Sequence, residues 1–152
     1  INLGNTAFEN KEYDKALVYY NKSLTSENTY LAHVLVGNTF AVKGNFQAAE
    51  NAYEEAIKLN NFNELSYFNL GLMYSQTNKI EKAINQFNKV IEINPNFSDA
   101  YRNLAIALYI QHEYKASLEY FEKYLTMVKS ESLRKSVEGD IENIKQLIKL
   151  NK

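Results

Sequence analysis

The sequence predicts an all-α chain built from repeated pairs of antiparallel helices, and three observations carry that prediction. An apolar–small pair recurs at a nearly constant interval: Leu3-Gly4, Val36-Gly37, Leu70-Gly71 and Leu104-Ala105. A fixed set of slots follows each pair. Three residues beyond the small residue stand Ala7, Phe40, Tyr74 and Leu108; twelve beyond it stand Ala16, Ala49, Ala83 and Ser117; four further on stand Tyr20, Tyr53, Phe87 and Phe121. Finally, each period holds two apolar-periodic stretches separated by a short polar break. Ala48, Ala49, Tyr53, Ala56 and Ile57 share one face at helical spacing.

The elements follow in order. Residues 1–29 form a truncated first repeat that begins just before its Gly4 slot. Residues 30–63, 64–97 and 98–129 form three further repeats. In the second repeat, Lys43-Gly44-Asn45 and Asn60-Asn61-Phe62-Asn63 mark the breaks. Gly and Asn accept the left-handed backbone that ends a helix, and Asn caps the next one. A glycine in mid-helix costs up to about 1 kcal/mol in propensity. Three glycines at one register, Gly4, Gly37 and Gly71, therefore imply a compensating close contact between the two helices of a pair. Residues 130–152 leave the pattern. Ser130-Glu131-Ser132 reads as a helix start, and Leu133, Val137, Ile141, Ile144 and Ile148 trace one apolar stripe opposite Lys135, Glu138, Glu142, Lys145 and Lys149. That is the composition of a helix capping the open end of a repeat stack. Gly139-Asp140 falls within it and leaves open whether 130–152 is one continuous helix.

Composition narrows the function. The 152 residues are 45% hydrophobic and 23% charged, with a formal net charge of −1. That balance is ordinary for a globular protein and gives no concentrated basic field for nucleic acid. Cysteine is absent, which removes disulfides and thiolate metal sites. No apolar run reaches the roughly 20 residues of a membrane span. The chain opens Ile1-Asn2-Leu3-Gly4, without Met and without a signal peptide pattern, and reads as a fragment of a longer protein; the cytoplasm is the expected compartment. His33 and His112 fall in different repeats and lack metal-ligand spacing. Glu12/Asp14 and Glu54/Glu55 are neighbours that do not share a helix face. No phosphate-cradling Gly loop or GxSxG elbow is present. The expectation is a chain without cofactor or metal that is not an enzyme.

An aromatic-type residue precedes each complete apolar–small pair by three positions, as His33, Tyr67 and Tyr101, and Pro95 closes the third repeat where Asn28, Asn61 and Lys129 stand elsewhere. Together with the period of about 34, these slots resemble the tetratricopeptide family over roughly the first 128 residues. The resemblance implies a right-handed superhelical solenoid of about three and a half repeats, closed by the C-terminal helix. It also implies that a partner is held on the concave face lined by the first helix of each pair. On the family's contact positions the first repeat places Asn5 and Phe8, and the second Leu31, Val34 and Asn38. The third places Leu65, Phe68, Asn69 and Leu72, and the fourth Arg102, Asn103, Ile106 and Tyr109.

This lining is apolar with asparagine rungs, and asparagine can pair with a partner's backbone as donor and acceptor. The chaperone-binding members clamp a C-terminal carboxylate with Lys, Arg and Asn; here Val34, Asn38, Asn69, Asp99 and Asn103 stand in those places, so an acidic tail is not the expected ligand. The expected function is therefore a protein–protein interaction scaffold. Its partner would be a peptide or amphipathic helix with an apolar segment. Two alternatives stand beside it: a self-association module forming a homo-oligomer, and the substrate-recognition arm of a larger enzyme.

Overall fold

The computed structural model describes residues 1–150. Among them are nine helices: α1 (Asn2–Glu9), α2 (Tyr13–Ser26), α3 (Tyr30–Val42), α4 (Phe46–Leu59), α5 (Glu64–Gln76), α6 (Ile80–Ile93), α7 (Ser98–Ile110), α8 (Tyr114–Met127) and α9 (Glu131–Leu150). The chain divides into two compact units, residues 1–73 and 74–152.

The turn inside each pair is the same device four times. Lys11, Gly44, Asn78 and His112 all take positive φ, between 59° and 76°. The next residue then sends its N–H back into the preceding helix: Glu12 to Ala7 O at 2.8 Å, Asn45 to Phe40 O at 2.9 Å, Lys79 to Tyr74 O at 2.8 Å and Glu113 to Leu108 O at 2.9 Å. This closure satisfies carbonyls that the helix end leaves open. Only one of the four positions is glycine, so three side chains accept a backbone that L-residues seldom adopt. Three-residue turns of this kind leave the packed helices antiparallel.

The turns between pairs rest on asparagine. Asn60 Oδ1 accepts from Phe62 N and Asn94 Oδ1 from Asn96 N, both at 3.1 Å. Asn45 and Asn63 cap α4 and α5 by accepting from Ala48 N and Ser66 N, and Thr29 caps α3 through Ala32 N. Asparagine is abundant in this chain, and at these positions it supplies the side-chain acceptor that a helix start needs.

In the first unit, α1 packs on α2, α2 on α3, and α3 on α4. Its core gathers Ala7, Ala16, Tyr20, Val36 and Ala52, with Leu17, Tyr19, Leu35 and Phe40 against them. In the second unit, α6 packs on α7, α7 on α8, and α8 on α9. There Tyr101, Ala105, Phe121 and Tyr124 meet Val137, Ile141 and Ile144 of α9. Ser117, in a slot that is alanine in the other repeats, donates its hydroxyl to Ala105 O at 2.7 Å and so fits the same buried place.

For the C-terminal helix, one open point is answered and one expectation is corrected. Helix α9 runs unbroken through Gly139-Asp140. A glycine in a helix interior costs propensity without interrupting hydrogen bonding, and the stripe buried against α8 outweighs that cost. Leu133 does not join the stripe; it is 49% exposed, because it stands in the first turn of α9, before the helix reaches the core cluster. Residues 151 and 152 of the expected cap lie outside the described residues.

Candidate functional site

A ring contact within the pair explains the glycines at 4 and 37. A Cβ placed on Gly37 would lie 2.6 Å from Cε1 and 2.7 Å from Cδ1 of Tyr53, and a Cβ on Gly4 would meet the ring of Tyr20 in the same way. Each ring lies across a glycine of the neighbouring helix, and its hydroxyl reaches the next residue along. Tyr20 donates to Asn5 Oδ1 at 2.9 Å, and Tyr53 donates to Asn38 Oδ1 at 2.8 Å. Both rings are buried, and burial disfavours the phenolate, so both pKa values are raised above the usual tyrosine range. A neutral phenol in that setting needs a partner for its hydroxyl, and the asparagine provides it.

The pairing follows the repeat. Where the residue after the glycine slot is Asn, at 5 and 38, the ring fifteen residues later is Tyr. Where it is Leu72 or Ile106, the ring is Phe87 or Phe121. Residue identities alone would have revealed this coupling, because a buried hydroxyl and its acceptor must appear or vanish together. It also revises the asparagine rungs. Asn5 and Asn38 use their carbonyl oxygens within the pair and leave their amide N–H groups for other partners. Asn103 donates its amide nitrogen to Asp99 O in its own helix at 2.8 Å.

Each unit gathers part of the expected surface. In the first, Asn5, Phe8 and Asn38 line a cleft of about 190 Å³ with Glu9, Tyr20 and Leu35. Phe8 stands edge-on to Tyr13, centroids 5.4 Å apart. Leu31, Leu65 and Leu72 are 43%, 46% and 38% exposed, while Phe68 and Asn69 are half-buried. Val34 is a correction: at 5% exposure it offers no surface to a partner, because it belongs to the buried core.

In the second unit, Ile106 and Tyr109 line a cleft of about 240 Å³ with Phe121 and with Asp140, Asn143 and Ile144 of α9. Tyr109 is 41% exposed and packs on Tyr114, centroids 5.6 Å apart. Arg102 and Asn103 are half-buried on α7. Sequence reasoning missed the α9 residues, since no repeat register extends to that helix. It also missed Arg134, which donates from Nη1 to Leu125 O at 2.5 Å and to Val128 O at 3.2 Å, tying the start of α9 to the carbonyl end of α8.

The histidines are engaged locally. His33 Nε2 lies 2.8 Å from Asn28 Oδ1, and burial holds its pKa below the usual imidazole value, against the pull of Glu55. His112 Nδ1 lies 2.8 Å from the Tyr114 hydroxyl. Among the described residues, no cluster of three or more His, Cys, Asp or Glu is disposed to hold a metal ion, and no helix is long and apolar enough to cross a membrane.

Comparison with known proteins agrees with this geometry. Family profiles described as TPR repeat match residues 37–77 and 71–111, and profiles described as tetratricopeptide repeat match 1–30 and 98–130. The chain belongs to the tetratricopeptide repeat family, and its fold is the all-α solenoid of that family. A TPR repeat-containing protein of Methanocaldococcus jannaschii is 39% identical over 82 residues, which is 54% of this chain and 14% of that protein. The anaphase-promoting complex subunit 3 of Schizosaccharomyces pombe is 23% identical over 132 residues, 86% of this chain and 20% of that protein. The chain thus spans a minor part of these relatives. Among solved structures, MamA superposes with a TM-score of 0.78 at 28% identity, over 83% of this chain and 74% of that one. The first TPR of Spaghetti (RPAP3), solved bound to the HSP90 peptide SRMEEVD, superposes with a TM-score of 0.72 at 17% identity, over 80% of this chain and 94% of that one; it shows the shared fold.

Proposed function

We propose that this chain is a protein-interaction module that binds a peptide or an amphipathic helix on the outward faces of its first helices, α1, α3, α5 and α7. One observation carries the reading. Leu31, Leu65, Leu72 and Tyr109 stand on first helices at 38–46% exposure, at positions that the packing of a pair does not require to be apolar. The second helix α4 exposes Gln47, Asn51, Glu54, Glu55 and Lys58, with Leu59 at its end. Exposed large apolar side chains mark interaction sites. The amide N–H groups of Asn5 and Asn38 supply donors beside Phe8 and Leu35, which suits a partner's backbone carbonyls. A TPR neighbour solved with a bound peptide supports this reading.

The test is selection of a displayed peptide library on the protein, followed by affinity measurement on the Leu65→Ser/Tyr109→Ala double variant. Both side chains are exposed, so the variant keeps its helical signal, and selected peptides weaken by about tenfold or more. Unchanged affinity would refute the reading. The peptide SRMEEVD serves as a control that gives no binding, since no cluster of cations accompanies Asn38, Asn69 and Asn103.

A further inference from the structure

Helix α9 does more than cover the last pair. Its buried stripe faces α8, yet Asp140, Asn143 and Ile144 also form one side of the cleft whose other side is Ile106 and Tyr109 of α7, with Phe121 of α8 completing the lining. Phe121 and Ile144 are buried and apolar, whereas Asp140 and Asn143 are exposed on α9. The cleft therefore has an apolar interior with one carboxylate and one carboxamide on its α9 side.

The charge pattern of α9 singles out Asp140. Glu131 lies 3.9 Å from Lys135, Glu138 lies 3.9 Å from Arg134, and Lys145 reaches across to Glu122 at 3.7 Å. Asp140 carries no ion pair or hydrogen bond among the described residues. A carboxylate at the rim of an apolar cleft favours an occupant of opposite charge. The Tyr109 ring lines the same cleft, and an aromatic ring attracts a cation.

We infer that α7 and α9 together form a socket for one bulky apolar side chain of a bound segment, with a Lys or Arg of that segment seated against Asp140. The occupant is thus a basic amphipathic peptide, apolar and cationic groups on one side. The inference rests on the interaction-module reading and adds to it the sign of the partner's charge and a recognition role for the C-terminal helix.

The experiment uses two labelled, capped twelve-residue peptides that are identical except at one position. Both carry Phe, and four residues later one carries Lys and the other Glu. Fluorescence anisotropy on the full chain should show the Lys peptide binding about threefold to fivefold more tightly, the range of a solvent-accessible ion pair. Asp140→Asn should erase that preference while leaving the melting temperature unchanged, because Asp140 has no partner to lose. Tyr109→Ala should weaken both peptides by about tenfold. If Tyr109→Ala weakens binding but Asp140→Asn leaves the preference intact, the role given to α9 is wrong and the module reading stands. If neither substitution changes binding, or the Lys peptide fails to bind, the socket is wrong; insensitivity of library-selected peptides to Leu65→Ser/Tyr109→Ala would then overturn the module reading separately.

Discussion

Replacing Gly37 by alanine sets two known effects against each other at one atom. Helix propensity favours the change by about 1 kcal/mol. Packing opposes it. The new Cβ would lie 2.6 Å from Tyr53 Cε1, where carbon atoms ordinarily approach to about 3.5–4.0 Å, so the ring must retreat by about 1 Å. Tyr53 is buried and its hydroxyl is held by Asn38, so retreat disturbs both the core and the hydrogen bond. Overpacking of this kind costs about 1–3 kcal/mol and the hydrogen bond about 1 kcal/mol. The balance is a net loss of about 1–3 kcal/mol, or roughly 3–10 °C in Tm for a chain of this size. Urea denaturation followed by circular dichroism measures it. The fourth repeat supplies the rescue, since Ala105, Ile106 and Phe121 occupy the equivalent slots. Gly37→Ala combined with Asn38→Ile and Tyr53→Phe should therefore recover at least about 1 kcal/mol relative to the sum of its parts. A neutral or stabilising effect of Gly37→Ala alone would show that the ring does not fix the glycine.

Other outcomes follow from the same packing. Gly139→Ala should raise stability by about 0.5–1 kcal/mol, because nothing lies within 4 Å of the added Cβ and the helix gains propensity; a loss in the urea midpoint would contradict the unbroken α9. Arg134→Ala should cost about 1–2 kcal/mol and speed amide exchange in α9 over that in α2, since it removes charged donors from Leu125 O and Val128 O; equal exchange would deny the tie. His33 is held below the imidazole range, so the unfolded chain binds more protons than the folded chain around and below about pH 6.5. Stability then falls as pH is lowered from 7.5 to 5.5. His33→Tyr, which installs the residue found at the same slot as Tyr67 and Tyr101, should reduce that fall, and identical pH profiles for the two proteins would refute the assignment. Tyr20 and Tyr53 are raised by burial, so folding protects them from ionisation. Spectrophotometric titration of the Tyr20→Phe/Tyr53→Phe variant should lose the phenolate absorbance that appears only as the native chain unfolds in alkali.

Much of this protein was legible in the residues. The period of 33–34, the small and aromatic slots, and the Gly and Asn breaks set α1 to α8 in their order, because each slot reports a local requirement that neighbouring residues cannot supply. The coupling of Asn5 to Tyr20 and of Asn38 to Tyr53 was legible too, as a covariation inside one chain. What the residues could not reveal depends on three-dimensional neighbours. Val34 falls on a contact position by register, but the packing around α3 buries it. Gly139-Asp140 left the continuity of the last helix open, and the buried contacts of Val137, Ile141 and Ile144 carry α9 unbroken through it. Asp140 and Asn143 lie outside every repeat, and only the docking of α9 on α8 brings them beside Ile106 and Tyr109. Sequence alone thus determined the repeat and its internal packing, which are set by contacts at fixed spacing. Tertiary structure decided which groove positions stay exposed and what the C-terminal helix adds to them, because those depend on contacts that no spacing rule encodes.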